Sequence, residues 1–417
     1  MHRRLFSGIC ILIWLGIILG FSHPMLAYAQ TQVINQTPDY VFGRQIIFRA
    51  NVETTEDISD ASFYFQRPED SAPNRIPVKV DDQGKLEYEY DNMRYPLRAF
   101  SPVDYWFEVT TLNGETIRSD KEEFIYADNR FTWNSLLEGP FHVNWYEGNA
   151  DFGSELMTVA QRGLQLAKTW LPLTSPDDKH IVNIYVYASA QELRSTNMLA
   201  GTNWIAGHAD PDLRLIEVSI PPGPEQLTEM ERQIPHELMH ILLYLTVGDA
   251  YYNLPSWFNE GLASINEVYP NPYYHTILSQ AIAKDSLLSL SDICQNFPVD
   301  ASGAYLAYAE AASFTRYLYD RYGSDGLETL LVVYMQGQAQ DCQDRTSQAF
   351  GVSLDHLERD WREAVFGEKS PSNGNGSLWA WVTVLGIVLI VPTIALVASI
   401  IRRSGKSQAS LKSRRSV

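Results

Sequence analysis

The sequence predicts a multidomain chain: an N-terminal all-β sandwich, then an α+β domain, then a C-terminal transmembrane helix. Three observations carry this. Residues 31–130 alternate apolar and polar side chains with a period of two. From about residue 140 the apolar spacing changes to three and four. Residues 378–401 form an apolar run without a charged side chain. At 417 residues the chain exceeds a single ordinary domain.

The elements follow in order. Arg3 and Arg4 precede the apolar run 5–21, and Ala27-Tyr28-Ala29 lies before Gln30, the layout of a secretory signal peptide at residues 1–29. Residues 30–132 hold strand patterns such as Gln45-Ile46-Ile47-Phe48, Ala61-Ser62-Phe63-Tyr64-Phe65, Leu86-Glu87-Tyr88-Glu89-Tyr90 and Tyr105-Trp106-Phe107-Glu108-Val109. Turn residues, Asp81-Asp82-Gln83-Gly84 and Asn113-Gly114 among them, separate them. Strands so spaced predict an immunoglobulin- or fibronectin-like sandwich. It carries no chemical constellation and reads as a spacer or recognition module, or as a structural brace.

Residues 140–367 form the second domain. Here 151–170 reads as a helix, 180–187 as a buried strand and 213–220 as an alternating strand. Leu227, Met230, Ile234, Leu238, Ile241, Leu242 and Leu245 then recur at spacings of three and four, an amphipathic helix. Pro235 predicts a kink or a fresh helix start, and Gly248-Asp249 an end. Residues 272–361 read as helical. Residues 368–377 are a Ser/Gly/Asn-rich flexible tether. The run 378–401 is long enough, at ~1.5 Å per residue, to cross a ~30 Å hydrocarbon core. Arg402, Arg403, Lys406, Lys412, Arg414 and Arg415 make 402–417 a basic tail. Positive flanks stay cytoplasmic, so the chain between signal and anchor is expected on the outside of a cell membrane.

The chemistry sits on the amphipathic helix. In His236-Glu237-Leu238-Met239-His240 the two imidazoles are four apart and share one face, so they can grip one metal ion from adjacent turns. Alone this pattern is weak. Downstream, Pro255-Ser256-Trp257-Phe258-Asn259-Glu260-Gly261-Leu262-Ala263 opens another helix and supplies a carboxylate. Catalytic zinc usually takes three protein ligands and keeps one position open. His236, His240 and Glu260 give that count, and Glu237 is left over for proton transfer.

Taken together, these two motifs resemble the gluzincin metallopeptidases, and within them the peptidase-MA-like domains. The similarity is position by position over roughly 234–267. It is looser over 141–366, where it includes Ala307-Tyr308-Ala309-Glu310 and Phe350-Gly351-Val352-Ser353. It implies Zn2+ held by His236, His240 and Glu260, with Glu237 as the base. Glu267 matches the acidic residue that follows the NEGxA pattern, which implies a carboxylate that orients a ligand imidazole. A solvated surface Glu is the alternative. Tyr308 resembles the oxyanion-donating tyrosine of the aminopeptidase-like Y-x-K-G segment, although Glu310-Ala311 stands here for Lys-Gly. Tyr305, one turn away, competes for that role, and a core aromatic is the alternative for either. The implied fold is the zincin-type (gluzincin) α+β domain. In such a domain an edge strand beside the metal pairs with extended substrate; 213–220 is the candidate here, with an ordinary sheet strand as the alternative.

The net charge of −18 disfavours nucleic acid as a partner, the more so because the basic residues of signal and tail lie outside the ectodomain. Of three cysteines, Cys10 leaves with the signal, and Cys294 and Cys342 form a possible disulfide, with free thiols as the alternative. The expectation is a membrane-anchored extracytoplasmic zinc metallopeptidase acting on peptides or proteins. Endopeptidase action is favoured because no G-x-M-E-N segment precedes His236. Gly207-His208-Ala209-Asp210 does not resemble one, and His208 reads as a surface loop histidine. The competing class is a membrane-tethered binding or adhesion protein with a structural or inactive zinc site.

Overall fold

Alternation builds the first half of the chain, seen in a computed structural model that describes residues 31–196, 207–336 and 342–367. Strands β1 (Gln32–Val41), β2 (Gln45–Glu53), β3 (Ile58–Gln66), β4 (Asn74–Pro77), β5 (Lys85–Asp91), β6 (Pro102–Thr111), β7 (Thr116–Arg118) and β8 (Glu122–Ile125) form two antiparallel sheets. One has the order β1-β2-β5, the other β4-β3-β6-β7, with β8 also on β6. In β2 every second residue (Ile46, Phe48, Ala50, Val52) is buried, as a strand with one face on a core requires. Phe48 meets Phe63 and Tyr105 of the opposite sheet at ring-centroid distances of 4.9 and 5.0 Å, so both sheets share one aromatic core. The turn at 81–84 closes on Gly84 at φ +76°, where a Cβ would lie 2.8 Å from the Val52 carbonyl oxygen; only glycine fits.

A mixed sheet follows. Its strands are β9 (Asn134–Glu138), β10 (Phe141–Trp145), β11 (Val182–Tyr187), β12 (Gly207–Asp210) and β13 (Leu215–Ser219), in the order β12-β13-β11-β10-β9. Helix α1 (Ala150–Trp170) is the crossover that lets β10 and β11 pair in parallel; the short α2 (Ala190–Arg194) follows β11. The β11–β13 pairing is parallel too, while β9 and β12 run antiparallel at the edges. All five residues of β13 are buried. Helix α3 (Gln226–Val247) then packs on β12 and β13. Sandwich, mixed sheet, most of α1, α3 and the segment Asn266–Tyr269 belong to one compact unit. Within it Leu215 joins the sandwich core, and Phe100 stacks on Tyr185 with centroids 3.5 Å apart.

Two expectations are corrected here. The segment 213–220 was the candidate edge strand, but β13 is hydrogen-bonded on both sides, to β11 and to β12. Among the described residues the edge strand on that side is β12. The 3-10 turn Pro211–Leu213 and the left-handed Arg214 (φ 53°) fold 207–210 back onto β13, which turns His208 from a loop residue into a strand residue. Gly-His-Ala-Asp has too little β propensity to announce this.

The second unit is helical: α4 (Ser256–Ile265), α5 (Tyr274–Ala283), α6 (Ala301–Met335), α7 (Cys342–Phe350) and α8 (Leu354–Phe366). Helix α6 breaks at Gly323 (φ 68°, ψ −170°). Trp257, Phe258, Phe314, Leu318 and Trp361 are fully buried and form its core. Cys294 and Cys342 are disulfide-bonded, with Cα atoms 6.4 Å apart. The chain is thus a β-rich N-terminal region followed by a helical domain. The signal peptide (1–29), tether (368–377), membrane helix (378–401) and basic tail (402–417) lie outside the described residues. Among the described residues no helix is long and apolar enough to cross a membrane.

Candidate metal centre

Helix α3 presents the motif because its other face is buried: Met230, Ile234, Leu238, Ile241 and Leu242 are fully covered. That fixes the roll of the helix and brings His236 and His240 onto one side, ring centroids 5.3 Å apart. Each of His236, His240 and Glu260 offers a ligand atom, and these atoms lie within 4.8 Å of one another. Glu260 is carried by α4, whose Trp257, Phe258, Leu262 and Ala263 are fully buried. The next residue, Gly261, lets α4 sit directly against α6: a Cβ there would collide with Thr315 and with the Ala311 carbonyl oxygen, 2.6 Å away.

Pro235 does not break α3, which runs through it. It does remove the N–H that would bond the Glu231 carbonyl. That carbonyl instead accepts from the backbone N–H of Val268 (2.9 Å) and of Tyr269 (3.3 Å). The Pro235 carbonyl in turn accepts from Asn266 Nδ2 at 2.8 Å. These bonds dock 266–269 beside the motif and set Glu267 Oε1 3.1 Å from His236 Nδ1, with the Glu267 side chain only 4% exposed. A carboxylate on Nδ1 assigns Nε2 as the ligand nitrogen and makes it more basic.

Glu237 is 9% exposed and rests on β12. A Cβ built on Gly207 would lie 2.5 Å from Glu237 Oε1 and 3.1 Å from its Cδ, so the carboxylate occupies the space that any other residue would fill. His208 follows, with Nε2 3.5 Å from Asp210 Oδ1. Burial works against charge on His208, but the Asp210 bond and the carboxylates of Asp210, Glu237 and Glu217 outweigh it and hold the imidazole above its ordinary value. In β13, burial pushes Glu217 up to about 8.

Tyr308 lies on α6, edge-on to Phe297 with centroids 5.0 Å apart, and Tyr305 is 42% exposed. Glu310, which stands where the aminopeptidase-like pattern has lysine, is fully buried and accepts the Leu288 N–H at 2.9 Å. Sequence reasoning missed Gly207 as the rest for Glu237. It also missed the consequence of Pro235, whose place directly before the motif was the available signal.

The donor set suits a divalent metal: two imidazoles and a carboxylate, one imidazole backed by a second carboxylate. The group can therefore bind a metal ion. Among solved structures the chain is similar to a carbohydrate-binding module family 56 beta-1,3-glucan binding domain (8% identity, 22% of this chain and 98% of that one, TM-score 0.17). It is also similar to a myokine (11%, 23% and 97%, TM-score 0.20) and to a polysaccharide deacetylase from Bacillus cereus (9%, 39% and 53%, TM-score 0.19). At such TM-scores these likenesses bear on neither fold nor function. No curated protein matches the chain. Residues 161–367 match the family model described as Peptidase MA superfamily. That span holds His236, Glu237, His240 and Glu260, and the match supports a peptidase-MA-like domain with a peptidase-like function.

Proposed function

We propose that this chain is a zinc-dependent endopeptidase of the gluzincin type, held outside a membrane by residues 378–401. His236, His240 and Glu260 hold the zinc, and Glu237 is the general base. The observation that carries this is the division of labour at the site. Three donors converge within 4.8 Å, and a second carboxylate, Glu237, is kept out of the set on the Gly207 strand. A purely structural zinc site has no use for such a residue and usually closes with a fourth ligand.

Bound zinc supplies Lewis acidity, which lowers the pKa of water and polarises the scissile carbonyl. Glu237 takes the proton of the attacking water and delivers it to the leaving amine. Glu267 keeps His236 in one tautomer and orientation. Tyr308 is assigned the hydrogen bond to the developing oxyanion. The outer edge of β12, which pairs with no strand among the described residues and lies beside Glu237, supports backbone pairing with an extended peptide. Asp210, the carboxylate on that edge, is engaged by Arg98 and His208 and does not serve as a grip for a free N-terminus, which supports internal cleavage. The extracytoplasmic location rests on the signal and anchor patterns in the sequence.

The test is Glu237→Gln. Hydrolysis of a diverse peptide pool should fall at least about a thousandfold, while zinc content stays near one per chain. Full activity in that variant sinks the reading. Bound zinc without turnover in the parent chain supports instead a tethered binding or adhesion protein.

A further inference from the structure

Arg98 belongs to the sandwich, yet its guanidinium is spent on the mixed sheet. Nη1 and Nη2 each donate to one oxygen of Asp212 at 2.9 Å, a paired, planar contact. Nη1 also reaches Asp210 Oδ1 at 3.5 Å, and Nη2 reaches Glu69 at 3.4 Å. The Arg98 side chain is 16% exposed, as is that of Asp210. Asp210 ends β12, and Asp212 lies in the turn Pro211–Leu213 directly after it. Among the described residues those four residues of β12 pair with β13 alone, so the turn that joins the two strands bears on the position of β12. At its other end Gly207 supports the Glu237 carboxylate.

We propose that Arg98 is a positioning residue for Glu237: the sandwich clamps the turn after β12 and thereby fixes the strand on which the base rests. The inference builds on the peptidase reading and gives the N-terminal sandwich a part in the chemistry. Arg98 can do this because its fork fixes direction as well as distance, which a lysine does not. Asp210 adds a second path, since it holds both Arg98 and His208, the neighbour of Gly207.

The experiment compares the full parent chain with Arg98→Met, Arg98→Lys and Asp212→Asn, each assayed well below its own melting temperature. The expected result is a fall in kcat of about tenfold or more for Arg98→Met, since small misplacements of a base carry losses of that order. KM and zinc content should stay unchanged, Arg98→Lys should fall in between, and Asp212→Asn should match Arg98→Met. Hydrogen exchange of the 207–213 amides should speed up in Arg98→Met and Asp212→Asn. Unchanged kcat, or a loss confined to KM, overturns the proposal. So does a loss of kcat with exchange at 207–213 unaltered. If the parent chain shows no chelator-sensitive hydrolysis, the peptidase reading falls instead. Exchange then decides the clamp: faster exchange keeps it and unaltered exchange ends it.

Discussion

His236 Nδ1 lies 3.1 Å from Glu267 Oε1, and the two residues are held in that relation by hydrogen bonds that do not involve either side chain. Val268 and Tyr269 dock on the Glu231 carbonyl that Pro235 leaves without its helical donor, and Asn266 docks on the Pro235 carbonyl. The carboxylate can therefore be removed without releasing the segment that carries it.

Glu267→Ala should weaken zinc binding by about 10- to 100-fold, the usual cost of losing a partner behind a ligand imidazole. At saturating zinc, kcat should return to within a few-fold of the parent. Equilibrium dialysis against a zinc buffer measures the first, and steady-state kinetics the second. Unaltered affinity would remove Glu267 from the site.

Gly207→Ala tests the rest for the base. The new methyl would meet Glu237 Oε1 at 2.5 Å and its Cγ at 3.1 Å, too close for either to stay. The flexible carboxylate end moves first, so the fold should survive. A base displaced by about 1 Å should cost on the order of a hundredfold in kcat. Zinc content should not change, because the three atoms nearest the added methyl all belong to Glu237, which is not one of the three metal donors. Loss of zinc together with activity would show that the strand supports the ligands rather than the base.

The helix that carries the motif could be read from its spacing, because burying one stripe of α3 is a local demand on sequence. The β-rich N-terminal region was legible for the same reason: β2 alternates without interruption from Ile46 to Val52. The edge strand was not. Gly207-His208-Ala209-Asp210 carries no apolar alternation, and it is a strand because the turn at 211–214 returns it to β13 and Arg98 holds that turn from more than a hundred residues away. Contacts of that range leave no period in a sequence. The set His236, His240 and Glu260 was read from the four-residue spacing, the zinc ligand count and the family resemblance together, and the three side chains offer ligand atoms within 4.8 Å of one another. The docking of 266–269 on Glu231 required coordinates, since Pro235 signals only that a carbonyl is freed and not what takes it.

Glu310 gives a prediction about pH. Its carboxyl is fully buried on α6, accepts the Leu288 N–H at 2.9 Å, and leaves Oε2 without a hydrogen-bond partner among the described residues. Burial pushes it up to about 8; the Leu288 N–H and Arg362 pull it down, and Glu358 adds to the rise. In the unfolded chain the group titrates near its ordinary 4.5. Below that value both states hold the proton, and the contribution of the buried neutral acid is fully present. Between about 4.5 and about 8 the unfolded state has released a proton that the folded state keeps, so stability falls as pH rises, and above about 8 the loss is complete. Glu310→Gln keeps the acceptor for Leu288 and cannot ionise. Its melting temperature should equal that of the parent near pH 4 and exceed it at pH 8, where the stability difference is on the order of a few kcal/mol at most. Thermal melts of both chains at a series of pH values measure this. A difference that does not grow with pH would mean that Glu310 is already ionised in the folded protein.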